Sequence, residues 1–200
     1  MRKSFLLLSG SVLTWFILQV CSFAYSSDPK QFISEIVDEA KIVLNSNISK
    51  EEKAKKLSDI ALKTVDIKGI GYYTLGSKRK ELTPDEMKKY EDIFQKYFLK
   101  SFTSRLTDYS DPKIDVLSAE VINEKYTIVK TLLLATSKKP EVKIDWRVYT
   151  KDPDKPLIRD LIVEGLKLAR TQKEEFLSIL SSNNNDINAL FLKLEEFINQ

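Results

Sequence analysis

Two neighbouring stretches decide the fold, YTIVKTLLLAT at residues 126–136 and EVKIDWRVYT at residues 141–150. In the second stretch apolar side chains alternate with polar ones, which is the period of a half-buried β-strand. Similar patterns at 113–122 and 157–164, with short polar turns between all four, predict an antiparallel meander. Helices are expected to cover its apolar face, which the pattern assigns to Tyr126, Ile128, Leu132 and Leu134 in the second strand and to Val142, Ile144, Trp146 and Val148 in the third.

Helices flank these strands on both sides. Capping residues mark helix starts at Asp28-Pro29, at Ser49 with Glu52 three residues on, and at Thr83-Pro84. The Thr83 helix has a stiff aromatic face, and Asp186 is placed to cap the last helix of the chain. The sequence therefore predicts an α+β protein, in which an antiparallel sheet of four strands or slightly more has helices packed on one face.

The first 24 residues have the layout of a secretory signal peptide. A short cationic start precedes an uncharged apolar run, and Ser22-Phe23-Ala24 forms a small-x-small cleavage pattern. We expect cleavage after this segment, export to the periplasm, and a single domain over residues 25–200. A retained membrane anchor and a lipoprotein attached through Cys21 are the weaker alternatives, since polar residues interrupt the run and Val20 precedes the cysteine.

Composition excludes several kinds of chemistry. The chain has no histidine and one cysteine, Cys21, which excludes Ser–His or Cys–His catalysis and an internal disulfide. The sequence shows no metal-ligand spacing and no phosphate-binding glycine loop. Loss of Arg2 and Lys3 with the signal leaves 30 basic residues of the 32 against 29 acidic ones, a net charge of +1. That balance gives no reason to expect nucleic-acid binding.

Only weak candidates for catalysis remain. Asp160 and Glu164 could form a pair for acid–base chemistry, but the sequence favours structural roles for them, either capping or pairing with Arg159, Lys167 or Lys173. Tyr72 and Tyr73 could line a ligand site or be ordinary half-buried aromatics.

Residues 145–180 resemble the C-terminal signature of the MlaC family. In that family a strand ends in Asp-x-x-x-Glu-Gly and leads into a helix with a basic residue shortly before Glu-Phe. The matching positions in this chain are Asp160, Glu164, Gly165, Lys173, Glu175 and Phe176. The order of the N-terminal elements agrees more loosely, so the resemblance covers about residues 28–198.

The resemblance implies a periplasmic phospholipid shuttle, with the acyl chains in an apolar cavity between sheet and helices. It implies no catalysis, no metal and no cofactor beyond the phospholipid cargo. The implied partners are an outer-membrane lipoprotein–porin complex and the substrate-binding subunit of an inner-membrane ABC transporter. We expect a monomer that does not span the membrane. The expected acyl-pocket residues are Tyr72, Tyr73, Leu75, Phe94, Tyr97, Phe98, Tyr126, Ile128, Leu132, Ile144, Trp146, Val148, Leu161, Val163 and Leu166.

Two other functions stay open from the residues alone. One is a small α+β hydrolase or isomerase that uses Asp160 or Glu164 as a base in a closed cleft. The other is a periplasmic interaction module with a solid core. A cavity long enough for two acyl chains would argue against both.

Overall fold

The computed structural model describes residues 25–109, 111–137 and 139–200, so the predicted signal peptide lies outside the described residues. Within the described part are six α-helices, one 3-10 helix and five strands. The helices are α1 (Pro29–Asn45), α2 (Lys50–Thr64), α3 (Ile67–Leu75), the 3-10 helix (Gly76–Lys80), α4 (Pro84–Leu106), α5 (Leu168–Ser182) and α6 (Ile187–Asn199). The strands are β1 (Ile114–Asn123), β2 (Tyr126–Leu133), β3 (Val142–Tyr149), β4 (Leu157–Val163) and β5 (Leu166–Lys167).

The predicted helix starts are confirmed by side-chain caps. The Asp28 carboxylate accepts a hydrogen bond of 2.8 Å from the backbone N–H of Gln31 at the start of α1. Ser49 and Thr83 open α2 and α4 with complete capping boxes. Asp186 caps α6 through the N–H of Asn188. Each cap satisfies backbone donors that the first helical turn leaves without a partner.

The strands form one antiparallel sheet in the order β1-β2-β3-β4-β5. The predicted α+β class and meander are confirmed, and β5 is an addition to the four predicted strands. Glu164 and Gly165 make the two-residue turn before β5, with φ of 49° and 82°. Both angles lie in the left-handed region, which suits the tight turns of hairpins and favours glycine.

The predicted inner face of β2 is wrong, because the residues that face the helices are shifted by one position from those predicted. Val129 is fully buried and lies opposite Trp146, whereas Ile128 lies opposite Arg147 and Leu132 opposite Lys143. Residues directly opposite each other in an antiparallel pair share a face. The strand therefore turns its threonines and Val129 towards the helices, and its outer face carries the residues predicted for the pocket, Tyr126, Ile128 and Leu132.

Hydrogen bonds explain why a threonine can replace an apolar residue on the inner face. The hydroxyl of Thr131, which is 2% exposed, donates to the carbonyl oxygen of Ile144 at 2.9 Å. It also accepts from the indole Nε1 of Trp146 at 3.0 Å. A buried hydroxyl with both partners present has a small desolvation cost.

The interior consists of two clusters of buried side chains. The first is formed by α3, α4, α5 and α6, and the second by α1, α2 and the inner face of the sheet. Val65 packs against both clusters. Its neighbour Asp66 also links the helical cluster to the sheet. The N–H of Asp66 donates to the carbonyl of Ile158, and the Asp66 carboxylate pairs with Arg159 at 2.6 Å.

Candidate functional site: an apolar cleft beside the sheet

The inner face of the sheet is only partly covered. Val129 and Val148 are 0% exposed beneath α1 and α2. Towards the β2–β3 turn, the apolar residues on the same face are half-buried. This half-buried strip consists of Leu133, Val142, Ile144 and Val163, which pair across the strands as Leu133–Val142 and Ile144–Val163. The part of these apolar side chains that stays exposed is available to a ligand.

Helix α4 presents a second half-buried apolar strip, which runs towards the C-terminal end of the helix. Phe98, Phe102 and Leu106 are four residues apart, so they share one face of the helix. The rings of Phe98 and Phe102 stack with centroids 6.0 Å apart. Leu106 and Trp146 both pack against the buried cluster of α1, α2 and the sheet, so the C-terminal end of α4 lies near that cluster. Phe98 packs against the helical cluster.

A depression of about 540 Å³ lies where these two strips end. Its lining includes Leu133 and Val142 of the sheet and Tyr109, three residues beyond α4. We call it the end depression, and we call the two strips together (Leu133, Val142, Ile144, Val163; Phe98, Phe102, Leu106) the apolar cleft. A closed cavity between sheet and helices is not seen in the described residues, so the predicted enclosed pocket stays a prediction.

The predicted pocket residues fall into several environments. Leu75, Phe94 and Val148 are 2% exposed or less and belong to the two filled clusters. Tyr73 and Leu166 are 46% and 56% exposed on the surface. Half-buried residues on the outer face of β2 are Tyr126, Ile128 and Leu132, and the other half-buried members are Tyr72, Tyr97, Phe98, Ile144, Trp146, Leu161 and Val163. Phe98, Ile144 and Val163 belong both to the cleft and to the predicted acyl pocket, and their role in lipid binding stays a prediction.

The other cleft residues, Leu133, Val142, Phe102 and Leu106, were not among the predicted pocket residues. Val142 was correctly predicted on the apolar face of the third strand, and its position at the start of β3 was the available signal. Leu133 was missed together with the inner face of β2.

A second, smaller depression of about 110 Å³ lies between α3 and α4. Tyr72 and Phe94 are part of its lining. The hydroxyl of Tyr72 donates a hydrogen bond to Glu91, whose carboxylate also pairs with Lys68 at 2.9 Å. These hydrogen bonds hold the pKa of Glu91 below its usual range. The volume is well below that of an ordinary ligand site.

The signature residues that carry the family resemblance have structural roles here. The Asp160 carboxylate accepts a hydrogen bond of 2.9 Å from the N–H of Ala169 and so caps α5 from within β4. The Glu164 carboxylate accepts from the backbone N–H of Lys143. Phe176 is 1% exposed and fills the helical cluster. The capping role predicted for Asp160 is confirmed.

The electrostatics of Asp160 suit a buried cap. Desolvation raises its pKa above the ordinary value, while hydrogen bonds from the N–H groups of Ala169 and Leu161 act in the opposite direction. With its carboxylate engaged inside the fold and 7% of the residue exposed, Asp160 is not placed to meet a substrate. Within the described ranges no group of carboxylates is placed to hold a metal ion.

A family model described as "MlaC protein" matches residues 34–196, and the chain therefore belongs to the MlaC family. A solved structure of similar fold is that of a phospholipid-binding protein from Ralstonia solanacearum in complex with a phospholipid. It is 18% identical, the match covers 88% of this chain and 98% of that one, and the TM-score is 0.73. The search of curated proteins finds no match.

None of the helices in the described part of the chain has the length and apolar character needed to cross a membrane.

Proposed function

We propose that this protein is a non-catalytic periplasmic carrier that binds one glycerophospholipid with its acyl chains in the apolar cleft. The observation that carries the proposal is the half-buried strip of Leu133, Val142, Ile144 and Val163, which lies on the inner face of the sheet. Membership of the MlaC family supports a binding or transport role. The related fold of a phospholipid-binding protein supports the identity of the ligand.

The energetics set the conditions under which such a carrier works. Two acyl chains with about 14 methylene groups each, at about 0.8 kcal/mol per group, gain about 20 kcal/mol when they leave water. The same chains gain almost nothing relative to a bilayer, because both environments are apolar. The carrier therefore has to collect and deliver its lipid while it is docked on a donor or an acceptor.

The family supplies the proposed donor and acceptor. They are an outer-membrane lipoprotein–porin complex and the substrate-binding subunit of an inner-membrane ABC transporter, so that the carrier maintains the lipid asymmetry of the outer membrane. The signal-like sequence of residues 1–24 supports export into the compartment between them.

Lipid extraction tests the proposal. The protein is purified from cells as the chain beginning at Tyr25, extracted with organic solvent, and its lipid is quantified by mass spectrometry. We expect close to one phospholipid per chain. A chain that never carries phospholipid, even after incubation with phospholipid in nonionic detergent, would contradict the proposal and favour an interaction module with a solid core.

Two isoleucines provide a matched pair of variants for the same measurement. Ile144 and Ile128 are both half-buried on neighbouring strands, but Ile144 lies on the inner face and Ile128 on the outer face. We expect Ile144→Glu to lose at least about tenfold in recovered lipid, because a carboxylate in an apolar cleft has to be desolvated. Ile128→Glu is expected to retain its lipid. Equal losses in both variants would contradict the assignment of the cleft.

A further inference from the structure

The end depression differs from the rest of the cleft in having charged walls. Its apolar lining includes Leu133, Leu134 and Val142, and its charged lining residues are Lys113, Lys139 and Asp111. The size and the mixture of apolar walls with a few polar groups are those of a ligand site. The depression therefore combines the end of an acyl-chain surface with groups that can bind a polar ligand.

The two lysines come from different loops that meet at the depression. Lys113 precedes β1, and its carbonyl accepts a hydrogen bond of 2.8 Å from the N–H of Leu134. The ammonium group of Lys139 lies 3.8 Å from the centroid of the Tyr109 ring. This contact joins the β2–β3 turn to the segment after α4. Neither ammonium group forms an ion pair with a carboxylate among the described residues.

The nearby acids leave the depression with an excess of positive charge. Asp111 accepts a hydrogen bond of 3.1 Å from the side-chain amide of Asn45. Asp108, which precedes Tyr109, is paired with Lys50 at 2.9 Å. Among the described residues, the charged lining holds two cations and one carboxylate, which gives the depression a net charge of +1. An anionic group is attracted to such a site.

The apolar lining leads from this site into the cleft. Leu133 and Val142 lie opposite each other on the inner face, and the next residues of that face along β3 are Ile144 and Trp146. Four residues of strand separate Val142 from Trp146, which is about 13 Å at the usual rise. A molecule with its polar end at the lysines can therefore lay an apolar chain along the sheet.

We propose that the end depression is the mouth of the lipid cleft and that Lys113 and Lys139 bind the phosphodiester of the lipid headgroup there. Ammonium groups bind phosphate oxygens through charge-assisted hydrogen bonds, which are stronger than neutral ones. The inference rests on the proposed function, since the headgroup site needs acyl chains in the cleft.

The test compares two lipids that differ only in the phosphate-containing headgroup. Dioleoylphosphatidylglycerol and dioleoylglycerol are supplied in equal amounts in nonionic detergent micelles. The protein is then separated by gel filtration, and the bound lipids are quantified. We expect the parent chain to bind more phospholipid than dioleoylglycerol. In the Lys113→Gln/Lys139→Gln variant we expect the ratio of bound phospholipid to bound dioleoylglycerol to fall about tenfold. Binding of dioleoylglycerol alone should be the same in both proteins.

A matched control removes the same charge at the opposite end of the sheet. Lys125 lies in the β1–β2 turn and Lys151 follows β3, and both are exposed. The Lys125→Gln/Lys151→Gln variant is expected to keep the parental preference. Equal losses in the two double variants would show a general effect of charge and overturn the proposal.

The remaining outcomes distinguish a failure of the proposed carrier function from a failure of the headgroup site. A parent chain that binds neither lipid contradicts the proposed function itself. A parent chain that binds both lipids equally well overturns the headgroup site and leaves the carrier function standing. Inorganic phosphate is added as a competitor, and we expect no displacement of the phospholipid, because the acyl chains supply most of the binding energy. Displacement by phosphate would overturn the assignment to a lipid headgroup.

Discussion

The carboxylate of Asp160, within β4, accepts a 2.9 Å hydrogen bond from the backbone N–H of Ala169 in the first turn of α5. This contact fixes the start of α5 against the sheet and provides the side-chain cap that Lys167, the residue at the N-cap position, does not supply. We expect Asp160→Ala to destabilise the protein by about 1 kcal/mol through loss of the cap.

Asp160→Asn keeps an oxygen acceptor, so we expect it to remain within about 0.5 kcal/mol of the parent. Chemical denaturation of the three proteins measures both differences. A similar loss in the Asn and Ala variants would contradict the capping role. Lipid content is the second readout, and loss of lipid in a folded Asn variant would show that Asp160 also serves the ligand.

The raised pKa of Asp160 predicts a pH dependence of stability. Desolvation raises the folded pKa above its ordinary value of 3.8, so the folded state holds the proton at pH values where the unfolded state has released it. Stability therefore falls as pH rises from about 4 through the folded pKa.

Denaturation of the parent and of Asp160→Asn across this pH range isolates the effect, since the Asn variant has no proton to exchange at this position. We expect the parent to gain stability relative to the variant as the pH is lowered towards 4. A relative loss at low pH would contradict the desolvated environment assigned to the carboxylate.

The close approach of α3 to α4 predicts a coupling between Gly71 and Phe94. A Cβ atom at position 71 would lie 2.8 Å from Cδ1 of Phe94, which is too short for two carbons. We expect Gly71→Ala to cost about 1–3 kcal/mol, as overpacking of a filled core does.

A double-mutant cycle with Phe94→Leu checks the cause. The smaller side chain relieves the clash, so the cost of Gly71→Ala should shrink by at least about 0.5 kcal/mol in the Leu background. Additive losses in thermal or chemical denaturation would show that the two residues do not interact in this way.

The fold was largely predictable because its signals are local. Caps at Asp28, Ser49 and Thr83 lie within three residues of the groups they bind, and alternation along β3 and β4 gave the strands. The two-residue strand β5 is too short to produce a period, and only the positive φ of Glu164 and Gly165 reveals the turn that creates it.

The site was less predictable because β2 has apolar residues on both faces, so its sequence pattern does not show which face is buried. Leu132 and Leu133 are adjacent and apolar, so the sequence alone does not say which of them faces the helices. The register with β3 decides it, since Leu133 lies opposite Val142 and Leu132 opposite Lys143. A shift of one residue exchanges the faces completely. Which apolar residues fill a core and which remain half-covered also depends on how α4 packs, which is a long-range property.

The fluorescence of Trp146 tests most directly whether the acyl chains of a bound phospholipid lie in the cleft. This residue is the only tryptophan after residue 24, since the other one is Trp15. Its indole is half-buried on the inner face of the sheet, about 13 Å along β3 from Val142 at the mouth. Bromine atoms quench tryptophan fluorescence only over short distances, so brominated phospholipids report where the acyl chains lie.

We expect strong quenching when the protein is loaded with phospholipid brominated along the acyl chains, and little quenching when the bromine is on the headgroup. Unchanged Trp146 fluorescence in a sample shown by mass spectrometry to carry one chain-brominated phospholipid per protein would contradict the account.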